Sequence, residues 1–140
     1  SSDLFTSTPD EHLQQYGHMD IALDSFPNSG CTTTCEALWM GVPVLALRGS
    51  HYVSRMAYSV LCAAGLENWT FADPSNFLKF AVNQAQKGNL KWLRGNRPFW
   101  RHKILSSPLG DANDLMAHLE CIFSELYQEK LRSVHNNASK

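Results

Sequence analysis

At 140 residues, the chain is long enough for one compact domain with a single core and too short for two. Apolar residues make up 44% of it, charged residues 18%, and the net charge is −1, which excludes intrinsic disorder and a general attraction to polyanions. It has neither a run of about 18 apolar residues nor a basic-then-apolar N-terminus, so we expect a cytoplasmic chain that neither spans a membrane nor is secreted.

Helical and strand-like patterns alternate in the first third of the chain. The elements predicted there are a short strand at residues 4–6, a helix from Thr8 to about Gly17, a strand at 21–23, a turn at 27–30, a helix from Thr33 to about Met40, and a strand at 44–47. The last two strands are continuous apolar runs, which is typical of strands buried on both faces of a parallel sheet. Their order predicts an α/β fold with a right-handed crossover.

The rest of the chain is predicted to be mostly helical. Its elements are a helix capped by Ser50 and closed by Gly65, a short strand at 69–71, a helix from Asp73 to a break at 87–89, a basic helical stretch to about Leu105, and a long helix from Asp111 to about Arg132. The helix after Asp73 should turn an apolar face inward, made of Phe77, Leu78, Ala81, Val82 and Ala85. The long helix should carry a stripe made of Leu115, Leu119, Ile122, Phe123 and Leu126.

Four cysteines occur, Cys31, Cys35, Cys62 and Cys121, and all fall in predicted helices. This placement indicates reduced thiols rather than a disulfide framework. Cys31 and Cys35 are four residues apart and could share a metal ion. No second pair has ligand spacing, so we expect no metal site.

The segment from Asp24 to Glu36 is the place where chemistry is most expected, because a strand ends there and a helix begins. Open α/β sheets bind ligands at such places. The first N–H groups of a helix are unpaired and carry positive partial charge, which suits a phosphate. Gly30 lets the backbone approach a ligand closely, and the threonines at 32–34 add hydroxyl donors. The segment is therefore suited to a diphosphate.

A capping box accounts for part of this segment equally well. In that interpretation Thr33 caps the helix and Glu36 reaches back to the N–H of the cap. Alternatively, Glu36 accepts hydrogen bonds from a ribose diol, as an acidic residue does in dinucleotide-binding folds. The spacing alone does not decide between the two.

The stretch from Asp20 to Val44 closely resembles the C-terminal catalytic lobe of protein O-GlcNAc transferases and their SPINDLY-type relatives. The matching letters are DIALDSFP, then a glycine, then TTTCEALWMGVPV. Downstream, the similarity continues at the family's spacing through Gly49, Ser54-Arg55, Leu61, Gly65-Leu66 and Ser107-Pro108-Leu109. It runs from Pro9 to about Leu131.

The resemblance implies a GT-B glycosyltransferase that transfers GlcNAc from UDP-GlcNAc to serine or threonine of proteins. Residues 1–133 would be a fragment of its donor domain, an α/β unit with a partial Rossmann-like parallel sheet flanked by helices, and residues 134–140 a disordered tail. The implied partners are a UDP-sugar and a protein acceptor held by another lobe, with no metal and no other cofactor. A GDP-fucose-dependent enzyme of the SPINDLY type is an alternative on the same scaffold.

The resemblance also implies the donor contacts. The threonine pair that holds the diphosphate falls on Thr32 and Thr33, and the predicted diphosphate site is completed by their neighbours Gly30, Cys31 and Thr34. The acidic residue that contacts the ribose falls on Glu36. The histidine near the base falls on His12, which without the resemblance would be an ordinary surface histidine.

Two positions depart from animal members of the family, which have histidine in place of Cys31 and arginine in place of Gln15. We expect weaker donor binding from their absence, and a structural role explains Cys31 equally well. Arg97 and Arg101 could help neutralise the donor. The family's leaving-group lysine lies upstream of the match, and its base and acceptor groove lie in the other lobe. We therefore expect no catalytic residue here and little turnover by the chain alone.

Other kinds of function stay open on the sequence. The segment 91–103 interleaves cations with aromatic rings, as surfaces for single-stranded nucleic acid do. The near-zero net charge, with Leu93, Trp100 and Ile104 at packing positions, favours a packed helix whose basic face is simply solvated, and we expect no nucleic-acid partner. An interaction domain that has lost the donor site is another alternative. Strands missing before residue 1 would leave a sheet edge open, which predicts self-association.

Overall fold

The computed structural model describes the backbone of residues 8–138 and the side chains of residues 8–133. The strand predicted at residues 4–6 lies outside the described residues. Contacts divide the chain after Gly110. We call residues 8–110 the sheet unit, and the helix that follows is described separately.

In the described part of the chain, three short parallel strands form the sheet: β1 (Ala22–Leu23), β2 (Val44–Leu47) and β3 (Thr70–Phe71). Their spatial order is β1-β2-β3, with Ala22 opposite Val44 and Ala46 opposite Thr70. Helices connect consecutive strands, as parallel pairing requires. The predicted α/β class with a parallel sheet is confirmed.

Residues 8–138 contain seven α-helices: α1 (Pro9–Gln15), α2 (Thr32–Trp39), α3 (Met56–Ala63), α4 (Pro74–Gln84), α5 (Lys87–Gly95), α6 (Arg97–Leu105) and α7 (Ala112–Ala138). Short 3-10 turns lie at 16–18, 52–54, 67–69 and 108–110. Thr8 caps α1 in a capping box with Glu11, and Asp73 caps α4 by accepting the N–H of Asn76. Both helix starts match the predicted ones.

The core of the sheet unit lies between β2 and the helices α2, α3 and α4 that pack on it, and α5 and α6 add buried side chains to it. Its largest completely buried side chains include Leu38, Leu45, Leu61, Leu93 and Trp100. The Trp100 ring packs edge-on against Trp69 at a centroid distance of 4.9 Å, and Phe99 packs on Trp100 at 5.0 Å. The basic stretch is thus two packed helices that meet at Asn96, and Trp100 is not available to stack on a nucleic-acid base.

Two predictions about helix ends are wrong. Ser50 does not cap α3: the helix begins at Met56, and the hydroxyl of Ser29 accepts the N–H of Ala57 at 2.8 Å. A cap supplied by a distant loop replaces the local one. Residues 87–89 do not break the chain but form the first turn of α5, because the Asn89 side chain donates to the Asn83 carbonyl at 2.7 Å and ties this turn to α4.

The predicted inward face of α4 is partly wrong. Leu78 and Val82 are 60% and 62% exposed. Phe80 packs inward instead, with its ring 5.2 Å from the rings of both Trp69 and Phe71. The face of α4 that packs against the core therefore includes Phe77, Phe80 and Ala81.

Helix α7 forms a unit of its own. It starts where the sequence predicts, since the Asp111 carboxylate accepts the N–H of Asp114 at 3.0 Å. It continues to Ala138, past the predicted end near Arg132, because no glycine or proline interrupts it. Within the described part of the chain, no helix is long and apolar enough to span a bilayer.

Candidate functional site

The loop between β1 and α2 is folded tightly around Gly30. The Gly30 N–H donates to a carboxylate oxygen of Asp24 at 2.7 Å, directly after β1. A Cβ atom at Gly30 would lie 2.4 Å from the hydroxyl of Thr33 and 3.2 Å from that of Thr34. Any larger residue would therefore push the threonine hydroxyls out of place.

Helix α2 opens toward solvent, and no side chain among the described residues caps it. Its N-cap is Cys31, and Cys31, Thr32 and Thr33 are exposed. Thr34 is buried, with 2% of its surface exposed, and its hydroxyl donates to the Gly30 carbonyl at 3.2 Å. Thr34 thus holds the loop in shape, whereas its three neighbours face outward.

The capping-box interpretation of this helix start is wrong. Thr33 lies inside α2 rather than at its N-cap, since the helix begins at Thr32. Glu36 does not reach back to the cap either. Its carboxylate turns toward α1, where it accepts a hydrogen bond from Tyr16 Oη at 3.2 Å and lies 3.2 Å from Nε2 of His12. The first turn of α2 therefore keeps its N–H groups for other acceptors.

His12, Tyr16 and Glu36 form a polar cluster between α1 and α2. The rings of His12 and Tyr16 meet edge to face at 5.7 Å, one helical turn apart. Burial and then the Glu36 carboxylate raise the pKa of the Tyr16 hydroxyl above its ordinary value of 10.0. The predicted base and ribose residues thus lie together, next to the predicted diphosphate segment.

Tyr16 is a residue that sequence reasoning missed. Its only signal in the sequence is its position four residues after His12, on the same face of a helix. It is 7% exposed, and its hydroxyl also lies 3.4 Å from the carbonyl oxygen of Thr33. Tyr16 therefore links the Glu36 carboxylate to the backbone of the diphosphate segment.

A largely apolar cavity of about 420 Å³ opens beside His12 and Glu36. Its walls are made of residues from α1, α2, α6 and the turn after α6, including Leu13, Cys35, Trp39, Ile104 and Leu109. Burial is the main cause that raises the pKa of the Cys35 thiol, and the Cys31 thiol and Glu36 add to it. Cys35 is thus a protonated, weakly polar part of the wall.

The cations that could have neutralised a donor are engaged elsewhere. The Arg97 guanidinium donates to the carbonyl oxygens of Tyr16, Gly17, Met19 and Met40. It ties the end of α1 to the end of α2. Arg101 lies over the ring of Trp39, 4.8 Å from its centroid. The interpretation of Arg97 as a donor contact is wrong, because its hydrogen bonds are structural.

Metal ligands do not gather at this site. Among residues 8–133, whose side chains the structure describes, no three histidine, cysteine, aspartate or glutamate side chains lie close enough to share an ion. What the site offers instead is uncharged donors at a helix start, a carboxylate with two polar neighbours, and an apolar wall. This set can hold an anionic group beside a polar ring system.

The model of the family described as glycosyl transferase family 41 matches residues 4–119. A protein named probable UDP-N-acetylglucosamine–peptide N-acetylglucosaminyltransferase SPINDLY, from Solanum lycopersicum, is 34% identical over 118 residues, which is 84% of this chain and 12% of that protein. The Arabidopsis thaliana protein of the same name is 30% identical over 119 residues, 85% of this chain and 13% of its own length. The chain thus spans about an eighth of these relatives.

A solved structure supports the same relationship. A mutant of the Thermobaculum terrenum O-GlcNAc transferase superposes with a TM-score of 0.73 at 31% sequence identity, over 91% of this chain and 24% of that one. Sequence and fold therefore agree along most of the chain. The protein belongs to glycosyl transferase family 41.

Proposed function

We propose that the chain is the donor-binding part of a protein O-GlcNAc transferase and that it holds the UDP moiety of UDP-GlcNAc. The observation that carries this is the juxtaposition of the uncapped start of α2 with the His12–Glu36 pair. A nucleoside diphosphate likewise presents a charged diphosphate next to a polar ribose and base. The names of the related proteins agree with a UDP-GlcNAc donor.

In this proposal the diphosphate lies at Gly30, Cys31, Thr32 and Thr33, where it accepts hydrogen bonds from backbone N–H groups and threonine hydroxyls. Thr34 is assigned a supporting part, since its hydroxyl is already donated to Gly30. Glu36 accepts the ribose hydroxyls, and His12 lies against the base. Donor binding would have to replace the contact between His12 and Glu36 with contacts to the nucleoside.

The chemical contribution of this site would be electrostatic. When an acceptor hydroxyl displaces the diphosphate from the sugar, negative charge grows on the leaving group. Fixed N–H and hydroxyl donors stabilise that charge without reorganising. Transfer also needs a bound acceptor and a group that takes the proton of its hydroxyl. We assign neither to the described residues, and we expect no measurable turnover by this chain alone.

The test is a titration of the ¹⁵N-labelled chain with UDP and with GDP, followed by backbone amide shifts. We expect UDP to shift residues 30–36 and His12, and GDP to do so more weakly. Thr32→Val and Thr33→Val should each weaken UDP binding by about tenfold, since each removes a hydrogen bond to a charged group.

The matched control is Thr70→Val, which removes the same hydroxyl from β3, where it donates to the Glu67 carbonyl. This variant should bind UDP as the parent chain does. No shifts at millimolar nucleotide would contradict the proposal. A stronger response to GDP would favour the GDP-fucose alternative over UDP-GlcNAc.

A further inference from the structure

Two arginines share one aromatic ring at the start of α3. The guanidinium carbon of Arg48 lies 5.1 Å from the centroid of the Tyr58 ring, and that of Arg55 lies 5.5 Å from it. Both arginines are exposed. Stacking on the ring holds the two cations close together despite their like charge. We call Arg48, Tyr52, Arg55 and Tyr58 the arginine surface.

The arginine surface has no counter-charge of its own. The sequence contains no aspartate or glutamate between Glu36 and Glu67. Among the described residues, neither arginine forms an ion pair, whereas Arg94 binds Asp20 through two hydrogen bonds of 2.7 and 2.8 Å. The arginine surface is therefore a local excess of positive charge on a chain whose net charge is −1.

The shape of this surface suits a polypeptide segment rather than a single ion. A shallow cavity of about 340 Å³ is lined by Ser50, Tyr52, Arg55, Met56 and Ser59. Tyr52 is 79% exposed and Val53 is 48% exposed, so rings and methyl groups stand beside the cations. Exposed tyrosine and arginine together are typical of protein-binding surfaces.

The arginine surface begins at the carboxyl end of β2, next to the loop before α2. Arg48 follows β2 directly, and its N–H donates to the Phe71 carbonyl of β3 at 2.8 Å. The loop before α2 reaches this region through Ser29, whose N–H donates to the Val53 carbonyl at 2.9 Å. A partner bound here would be adjacent to the start of α2 without occupying it.

We propose that the arginine surface binds an acidic segment of the protein acceptor, with Arg48 and Arg55 contacting aspartate or glutamate carboxylates. Guanidinium groups bind carboxylates in a bidentate manner, and the aromatic rings add contact area. A nucleic acid fits less well, because the cations form one compact pair rather than a track along a backbone. The identity of the partner as the acceptor rests on the proposed transferase function.

The experiment uses the ¹⁵N-labelled 140-residue chain and two synthetic peptides. The first peptide is a serine flanked on both sides by aspartate and glutamate, and the second replaces these with asparagine and glutamine. We expect the acidic peptide to shift the amides of residues 48–59 and to bind about tenfold more tightly than the amide peptide at low salt. Added salt should reduce this difference.

Variants locate the effect. The double variant Arg48→Gln/Arg55→Gln should lose the preference for the acidic peptide, and the double charge reversal Arg48→Glu/Arg55→Glu should reverse it toward a lysine-containing peptide. The control Arg132→Gln removes the same charge from α7 and should keep the preference. The amide spectrum of each variant reports at once whether it is folded.

Three results would overturn the proposal: no discrimination between the two peptides, an equal loss in Arg132→Gln, or tighter binding of a single-stranded oligonucleotide than of the acidic peptide. UDP titration separates this proposal from the donor proposal. If the double variant loses UDP binding, the arginines belong to the donor site and the acidic-segment proposal fails. If the parent chain binds the acidic peptide but not UDP, the donor proposal fails and the surface stands.

Discussion

Glu36 occupies the position where the two halves of the proposed donor site meet. Its carboxylate is shared by His12 and Tyr16, and Tyr16 in turn approaches the carbonyl of Thr33. A ribose that formed hydrogen bonds with the Glu36 carboxylate would have to compete with both of these side chains. Tyr16 is buried and holds its contact, so His12 on the exposed side is the partner expected to move.

The raised pKa of Tyr16 predicts a change of stability in alkaline solution. The folded protein favours the neutral hydroxyl, so the stabilisation by Tyr16 is complete below the ordinary pKa of 10.0 and is lost as the pH rises through the raised value. We expect the parent chain to exceed Tyr16→Phe in free energy of unfolding by about 1 kcal/mol at neutral pH. This difference should shrink above pH 10, which urea unfolding at pH 8 and pH 11 would measure.

Glu36→Gln provides the second variant for this prediction. It keeps an acceptor for the Tyr16 hydroxyl but removes the negative charge, so the pKa of Tyr16 should fall toward its ordinary value. Carbon NMR of the labelled tyrosine ring would follow this titration. An unchanged Tyr16 titration in Glu36→Gln would mean that the carboxylate does not influence the hydroxyl, contrary to the geometry.

At the scale of elements, the end of α2 is fixed more tightly than the end of α3. Both helices end in the same motif, with Gly41 at φ 78° and Gly65 at φ 64°. After α2, the N–H of Val42 donates to the Ala37 carbonyl at 2.8 Å, and after α3 the N–H of Leu66 donates to the Leu61 carbonyl at 2.7 Å. The two glycines differ only in their surroundings.

These two glycines form a matched pair of substitutions. Alanine at either position is strained by a positive φ, which costs about 1–2 kcal/mol. At Gly41 the added Cβ would also lie 2.7 Å from the Cβ of Arg97, whereas at Gly65 its nearest neighbour is the Lys103 ammonium at 3.7 Å. Gly41→Ala should therefore cost about 1–3 kcal/mol more than Gly65→Ala.

Thermal unfolding of both variants measures this difference. The larger loss of stability in Gly41→Ala should be accompanied by disturbed contacts of Arg97, whose guanidinium donates to the carbonyl oxygens of Tyr16 and Met40. Equal losses of stability at the two glycines would show that α6 moves away freely from the end of α2.

The sequence predicts helix ends well where the cap is local. Thr8, Asp73 and Asp111 each accept a backbone N–H three residues later, as their spacing indicates. It fails where the partner is distant in sequence. Ser29 replaces Ser50 as the cap of α3, and Glu36 bonds to α1 rather than to its own helix. The spacing of residues along the chain predicts local caps, but it does not predict hydrogen bonds between residues that only the folded structure brings together.

The same difference between local and distant contacts decides which parts of the candidate site could be predicted from the sequence. The anion-binding helix start follows from the order strand, glycine and threonines, and His12 and Glu36 follow from the resemblance to the family. The engagement of Arg97 with backbone carbonyls was not predictable, because it depends on the packing of α6 against α2. The arginine surface was not predictable from the sequence either, because it depends on both arginines lying over the ring of Tyr58 in the folded chain.

At the scale of the whole molecule, β1 is the outer strand of the sheet in the described residues. The N–H groups of Ala22 and Asp24 donate to β2 and its neighbouring residue Pro43, so the amide of Leu23 between them points to the open side. No strand in residues 8–138 pairs with that side. Such an edge can pair with another chain.

We expect self-association of the chain through this edge at high concentration, and a pair of exposed leucines tests its location. Leu23 on β1 and Leu78 on α4 are each 60% exposed, so replacing either with lysine removes similar apolar surface and adds the same charge. Leu23→Lys should give a monomer, because a charged side chain on an edge strand opposes pairing. Leu78→Lys should associate as the parent chain does.

Sedimentation velocity over a range of concentrations measures the self-association of the parent chain and of both variants. A parent chain that stays monomeric at all concentrations would contradict self-association through β1. If both variants were equally monomeric, association would depend on exposed apolar surface in general and not on the edge strand.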